Sequence, residues 1–163
     1  YLDFQLAPVA GRPREVIDHW HREDMERKIR PIVHRGTPGL LASHGDHLRA
    51  IVTATNRFIT GPIARELGVE HLIACEVEEM PDGRLTGRPV GTPSFREGKI
   101  TRLHEWLASL GRRFEDFTET WFYSDSHNDL PLLKQVDHPV VVNADPTLAA
   151  HASRHGWPAI HLD

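Results

Sequence analysis

Short apolar runs alternate with helix-period stretches along this chain, and that alternation constrains the fold more than any other feature. In "HLRAIVTATN", Leu48 to Val52 form a run too brief for a helix, which predicts a buried strand. "EHLIACEVE" (70–78) predicts a second, and Trp121–Tyr123, Pro139–Val142 and Pro158–Leu162 predict three more. Helical spacing fills the intervals. It covers 58–67, closing at Gly68, and Gly98 to Leu110, with Ile100, Leu103, Trp106, Leu107 and Leu110 on one face. Two more stretches lie near 128–135 and 146–155. "MPDGRLTG" carries a Pro-Asp-Gly turn between two extended arms. Upstream, 12–30 predict an amphipathic helix with Pro13 in its first turn and Val16, Trp20, Met25 and Ile29 as its apolar residues. A weaker helix over 37–44 ends at Gly45-Asp46. Strands alternating with helices imply an α/β fold, a parallel sheet covered on both faces.

Composition narrows what such a fold does. The 163 residues, 39% of them hydrophobic, suffice for a compact domain with a real core. A formal net charge of -4 lacks the basic surplus of a nucleic-acid binder. Cys75 is the single cysteine, so no intramolecular disulfide forms, which suits a cytoplasmic protein. No apolar run approaches the roughly 20 residues of a membrane span, and no signal peptide opens the sequence. The chain opens at Tyr1, its first methionine is Met25, and "YLDFQLAPVAGRPREV" reads as the middle of a helical region, so a longer parent protein is expected. The 12 histidines invite a zinc reading, but His19 and His21 point to different helix faces without a Cys-x-x-Cys and are read as surface residues. Trp20, Trp106, Trp121 and Trp157 are read as core or sheet-edge packing, not as base-stacking platforms.

In an open parallel sheet, ligands bind beyond the carboxyl ends of the strands. Two strand ends carry polar residues there. "FYSDSHNDLPLL" ends an apolar run in Asp125 and Asp129 with Asn128 beside them. Crowded carboxylates repel unless a cation neutralises them, and hard oxygen ligands with an adjacent amide suit Mg²⁺. The same residues also read as a strand terminator and a helix-start acid. "IVTATN" leaves Thr53, Thr55 and Asn56 after a strand. A hydroxyl and backbone N–H groups at such a turn hold a phosphoryl oxygen, or simply cap a helix. Lys99, one residue into the helix from Gly98, opposes the macrodipole, a placement repaid by an aspartate and a phosphate; most such lysines are merely solvated.

Taken in order, these motifs resemble the haloacid dehalogenase-like superfamily of phosphohydrolases, in the branch containing phosphoserine phosphatase. The resemblance spans about 48–163, and the stretch before it resembles the end of a helical cap. It implies a three-layer Rossmann-like core over 31–163 with a cap remnant at 1–30. By that resemblance Thr53, the Ala54 N–H and Lys99 bind the phosphoryl group, Asp125 ligates Mg²⁺, Asp129 holds the metal's waters, and Asn128 assists substrate or metal waters. The implied activity is Mg²⁺-dependent hydrolysis of a small phosphorylated metabolite, with phosphoserine and histidinol phosphate as first candidates, through a phosphoaspartyl intermediate, by a monomer or homodimer. The family's first motif, Asp-x-Asp-x-Thr, is absent: Asp3 is followed by Gln5 and Ala7 where Asp and Thr belong. The nucleophile and the central first strand are therefore expected upstream of Tyr1, and a chain starting at Tyr1 is expected to fold poorly and turn nothing over. The alternative is a binding or regulatory protein on the same fold that has lost its nucleophile. A nucleotide-binding module would want a Gly-rich loop after its first strand, and none is visible.

Overall fold

A computed structural model describes Leu6 and residues 8–163. Asp3, weighed above as a degenerate nucleophile, lies outside the described residues. The chain divides into two compact bodies, Tyr1–Ser94 and Phe95–Asp163.

In the first body, α1 (Arg14–Asp24) follows Pro13, which sits just outside the helix with φ -59 and ψ 144. The helix widens through a π turn, Met25–Ile29, and then tightens into a 3₁₀ turn, Arg30–Ile32. The face it buries is not the one expected: Ile17 is 1% exposed, while Val16 and Trp20 are each 37% exposed. His21 is likewise more than a surface residue, since its ring packs on Phe58 with centroids 4.3 Å apart. A short α2 (Thr37–Ser43) leads to β1 (Ala50–Asn56), α3 (Arg57–Glu66) and β2 (His71–Glu79), and β3 (Leu85–Val90) folds back as a hairpin. β1 pairs parallel with β2, and β2 antiparallel with β3. The Pro-Asp-Gly turn closes the hairpin as expected: Gly83, at φ 82, donates to the Met80 carbonyl at 2.8 Å. Leu6, Val9, Ile17 and Leu85 form one core cluster, and Ala64, Leu72 and Ala74 another.

In the second body, α4 (Glu97–Ser109) precedes β4 (Trp121–Ser124), α5 (Leu130–Leu133), β5 (His138–Val142), α6 (Pro146–His155) and β6 (Ala159–Ile160). The strand order is β4-β5-β6, all parallel. Leu133, Val141, Leu148 and Ala152 fill the core between strands and helices, with Trp157 packed against them. Trp121 sits at the sheet margin, 40% exposed, stacked on His138 at 4.0 Å. The α/β reading with parallel strands holds in both bodies. None of the described helices is long and apolar enough to cross a membrane.

Candidate active site

The polar run after β4 is organised by its serines. Ser126 caps a 3₁₀ turn, His127–Asp129, its hydroxyl accepting from the Asn128 N–H at 3.3 Å. That turn folds Asp129 inward, where it is only 6% exposed. Both of its oxygens are engaged. The Lys99 ammonium lies 2.6 Å from Oδ1, and the Ser124 hydroxyl donates to Oδ2 at 2.7 Å. Lys99 is the third residue of α4 and its side chain, like that of Asp129, is 8% exposed. A cation in a first helical turn loses about 0.3–1 kcal/mol to the macrodipole. An opposite charge even 4 Å away returns about 4 kcal/mol at an effective dielectric of 20, so Asp129 decides where the lysine sits.

Asp125, by contrast, is exposed, and among the described residues its carboxylate has no hydrogen-bond or ion-pair partner. Its backbone is fixed instead. The Asp125 carbonyl accepts from the Asp145 N–H at 2.8 Å, and Asp145 Oδ2 accepts the His127 N–H at 2.6 Å with the His127 ring Nδ1 at 3.0 Å. The other Asp145 oxygen caps α6, taking the Thr147 and Leu148 N–H groups, both at 2.9 Å. Burial pushes the Asp145 carboxyl upward, but the Leu148 and His127 hydrogen bonds outweigh it and hold the pKa down to about 2. Asn128 is tied on both ends: Arg96 Nε donates to its Oδ1 at 3.2 Å, and its own amide donates to Ser126 Oγ at 3.3 Å.

In the first body, β1 loses register with β2 where the motif begins. From Val52 to Asn56 the strand advances four positions while its partner advances two, Ile73 to Cys75. The surplus takes Thr53–Thr55 out of the regular ladder, as a bulge does. Thr53 Oγ1 accepts from the Thr55 N–H at 3.1 Å. The buried Cys75 thiol donates to the Ala54 carbonyl at 3.2 Å and accepts from the Ser94 N–H at 3.2 Å. Asn56 Oδ1 caps α3 through the Ile59 N–H at 2.9 Å. Two buried polar atoms here, Asn56 Nδ2 and Ser94 Oγ, find no partner among the described residues. Burying such a group without a partner costs about 1–3 kcal/mol.

Of the residues singled out from sequence, Lys99, Asp125, Asn128 and Asp129 thus share the second body, while Thr53 and Ala54 belong to the first. Three positions escaped the sequence reading. Asp145 had a signal, an aspartate before Pro146 at the head of a helix. Ser124 and Cys75 had none, because their partners are five and 19–21 residues away in sequence.

The profile of the family described as "HAD: haloacid dehalogenase-like hydrolase" matches residues 2–134. The chain belongs to the haloacid dehalogenase-like hydrolases. It is 42% identical over 165 residues to a protein of Neisseria meningitidis serogroup C named histidinol-phosphatase, covering 99% of this chain and 74% of that one. It is 31% identical over 154 residues to phosphoserine phosphatase SerB1 of Mycobacterium tuberculosis, covering 93% of this chain but 49% of that protein, about half its length. A crystal structure from Bordetella pertussis Tohama I, of a protein with unknown function, superposes with a TM-score of 0.94 at 45% identity, covering 98% of this chain and 72% of that one. These names support the expected class, phosphoric monoester hydrolase.

The family generally uses Mg²⁺, and the donor set can be tested for it. Among the described residues no group of three or more His, Cys, Asp or Glu side chains is placed to hold a metal. Mg²⁺ does not need one: it keeps several waters and takes one or two carboxylates plus substrate phosphate. The exposed Asp125 carboxylate, without a partner among the described residues, fits that demand. Asp129, with one oxygen on Lys99 and the other on Ser124, has its charge already balanced.

Proposed function

We propose that this chain belongs to a Mg²⁺-dependent phosphatase that hydrolyses a small phosphorylated metabolite, such as histidinol phosphate or phosphoserine. The observation that carries the reading is the buried Lys99–Asp129 pair at 2.6 Å. A desolvated ion pair is costly and is not needed to stabilise a fold of this size. It becomes useful when the lysine must stand rigidly beside an anion. Asp129 and Ser124 orient the ammonium, which keeps further N–H donors for a phosphoryl oxygen. The Thr53 hydroxyl and the Ala54 N–H, in the irregular stretch within β1, are the phosphate donors that the first body offers in this reading. Asp125 holds Mg²⁺, which when bound neutralises the negative charge of the phosphoryl oxygens. Asn128, tied to Arg96 and Ser126, lines the approach.

In this reading the attacking carboxylate is an aspartate outside residues 1–163. It attacks phosphorus, the ester P–O bond breaks, and a second aspartate of the same motif, also outside residues 1–163, gives its proton to the departing alcohol. Water then hydrolyses the phosphoaspartyl group to release phosphate. Lys99 contributes most where negative charge is spread over the equatorial oxygens.

The test uses the full-length protein and p-nitrophenyl phosphate. Hydrolysis should require Mg²⁺, vanish with excess chelator and return on adding Mg²⁺. Asp125→Ala should abolish it; undiminished turnover in that variant removes Asp125 from the site.

A further inference from the structure

Arg96 occupies a backbone conformation that its side chain resists. Its φ of 50 and ψ of -122 match the first central position of a type II′ turn, the mirror image of a type II turn. The Gly98 N–H closes that turn on the Phe95 carbonyl at 2.9 Å. Glycine is the usual occupant of such a position. An arginine there carries strain, and strain retained at the mouth of a site is a pointer to function.

The side chain accounts for the choice. Arg96 is exposed, and its guanidinium stands 5.2 Å from the ring centre of Phe95, itself 46% exposed. Its Nε donates to Asn128 Oδ1 at 3.2 Å, which ties it to the loop between Asp125 and Asp129. Three residues on, the Lys99 N–H donates to the Arg96 carbonyl at 3.0 Å, so guanidinium and buried ammonium share one backbone turn. No described carboxylate pairs with Arg96, its neighbour Glu97 included. Among the described residues, four N–H donors of the fork therefore have no hydrogen-bond partner, in a geometry that matches an oxyanion bidentately.

We propose that Arg96 is a substrate-binding residue: it holds an oxyanion of the substrate that approaches Lys99. The inference rests on the phosphatase reading above. The oxyanion is either a carboxylate carried beside the phosphate ester or an oxygen of the phosphoryl group itself, and matched substrates separate the two.

The experiment measures kcat and KM of the full-length protein for O-phosphoserine and for O-phosphoethanolamine, which lacks the carboxylate. Variants are Arg96→Gln, Arg96→Lys and Arg96→Gly. Arg96→Gln should raise KM about tenfold or more with little change in kcat, the pattern of a lost binding contact. Arg96→Lys should recover part of the loss, keeping the charge without the planar fork. Arg96→Gly should raise KM as Gln does while raising Tm by about 2–4 °C as the strain is released. A residue serving only the turn would instead be best replaced by glycine, with KM unchanged. A rise in KM confined to phosphoserine assigns the carboxylate. An equal rise for both substrates, with weaker inhibition by inorganic phosphate, assigns the phosphoryl oxygen. Unchanged KM for both in all three variants overturns the proposal. A wild-type protein that turns over no phosphomonoester sinks the phosphatase reading, and this inference with it.

Discussion

Replacing Lys99 with methionine separates what the buried ion pair does for folding from what it does for chemistry. Methionine keeps most of the stem and removes the ammonium. Asp129, 6% exposed, would then hold a carboxylate supported, among the described residues, only by the Ser124 hydroxyl at 2.7 Å. Breaking a buried pair from one side costs about 3–5 kcal/mol, because the remaining charge stays desolvated. For a chain of this length that is a fall in Tm of roughly 6–20 °C. Adding Asp129→Asn removes the stranded charge, and the double variant should return to within about 1–2 kcal/mol of the wild type. Activity should not return with it. The lost donor to the phosphoryl group costs about 2.7–4 kcal/mol, or 10²–10³ in kcat, by analogy with oxyanion-hole donors. Urea denaturation and p-nitrophenyl phosphate hydrolysis on the full-length protein provide the two readouts. A Lys99→Met protein as stable as wild type would show that the pair is not desolvated. A double variant that regains turnover along with stability would show that the lysine is structural only.

Asp145→Ala should cost about 0.5–2 kcal/mol at neutral pH by uncapping α6. The Asp145 carboxyl is held below the usual carboxylate range, so its contribution is complete above that range and fades as pH falls through about 2. The gap between variant and wild type should therefore close in acid, and a gap that stays constant down to that pH would refute the assignment. Cys75→Val keeps bulk but loses the bonds to Ala54 and Ser94, and should destabilise by about 1–3 kcal/mol with KM for p-nitrophenyl phosphate raised. Cys75→Ser should recover much of the KM change, and a serine variant no better than valine would remove the thiol from the positioning of Ala54.

Much of the architecture was legible because local pattern and burial agree. The segment 70–78 and the Pro-Asp-Gly turn fall where β2 and the hairpin fall, and the helix read over 98–110 is α4 displaced by one residue. The strand read over 48–52 overlaps β1 only at 50–52, since β1 runs on through Thr53, Thr55 and Asn56, which the sequence alone places after it. α1 shows where the reading fails. Its apolar residues wind around the helix, and spacing alone could not say that Ile17, not Val16 and Trp20, faces Leu6, Val9 and Leu85. The polar positions behave the same way. Asp125 and Asp129 both stood out from their neighbours, but nothing local distinguished an exposed, unpartnered carboxylate from a buried one paired with a lysine 30 residues earlier.

The one-dimensional pattern determined the kind of fold and the family, since periodicity, turn residues and short motifs are properties of neighbours along the chain. Which charge is neutralised, which has no partner among the described residues, and which arginine is forced into a glycine's conformation were decided only in three dimensions. Those outcomes depend on desolvation and on hydrogen bonds between segments such as Lys99 and Asp129 or Arg96 and Asn128, and burial, unlike periodicity, exists only once the segments have met.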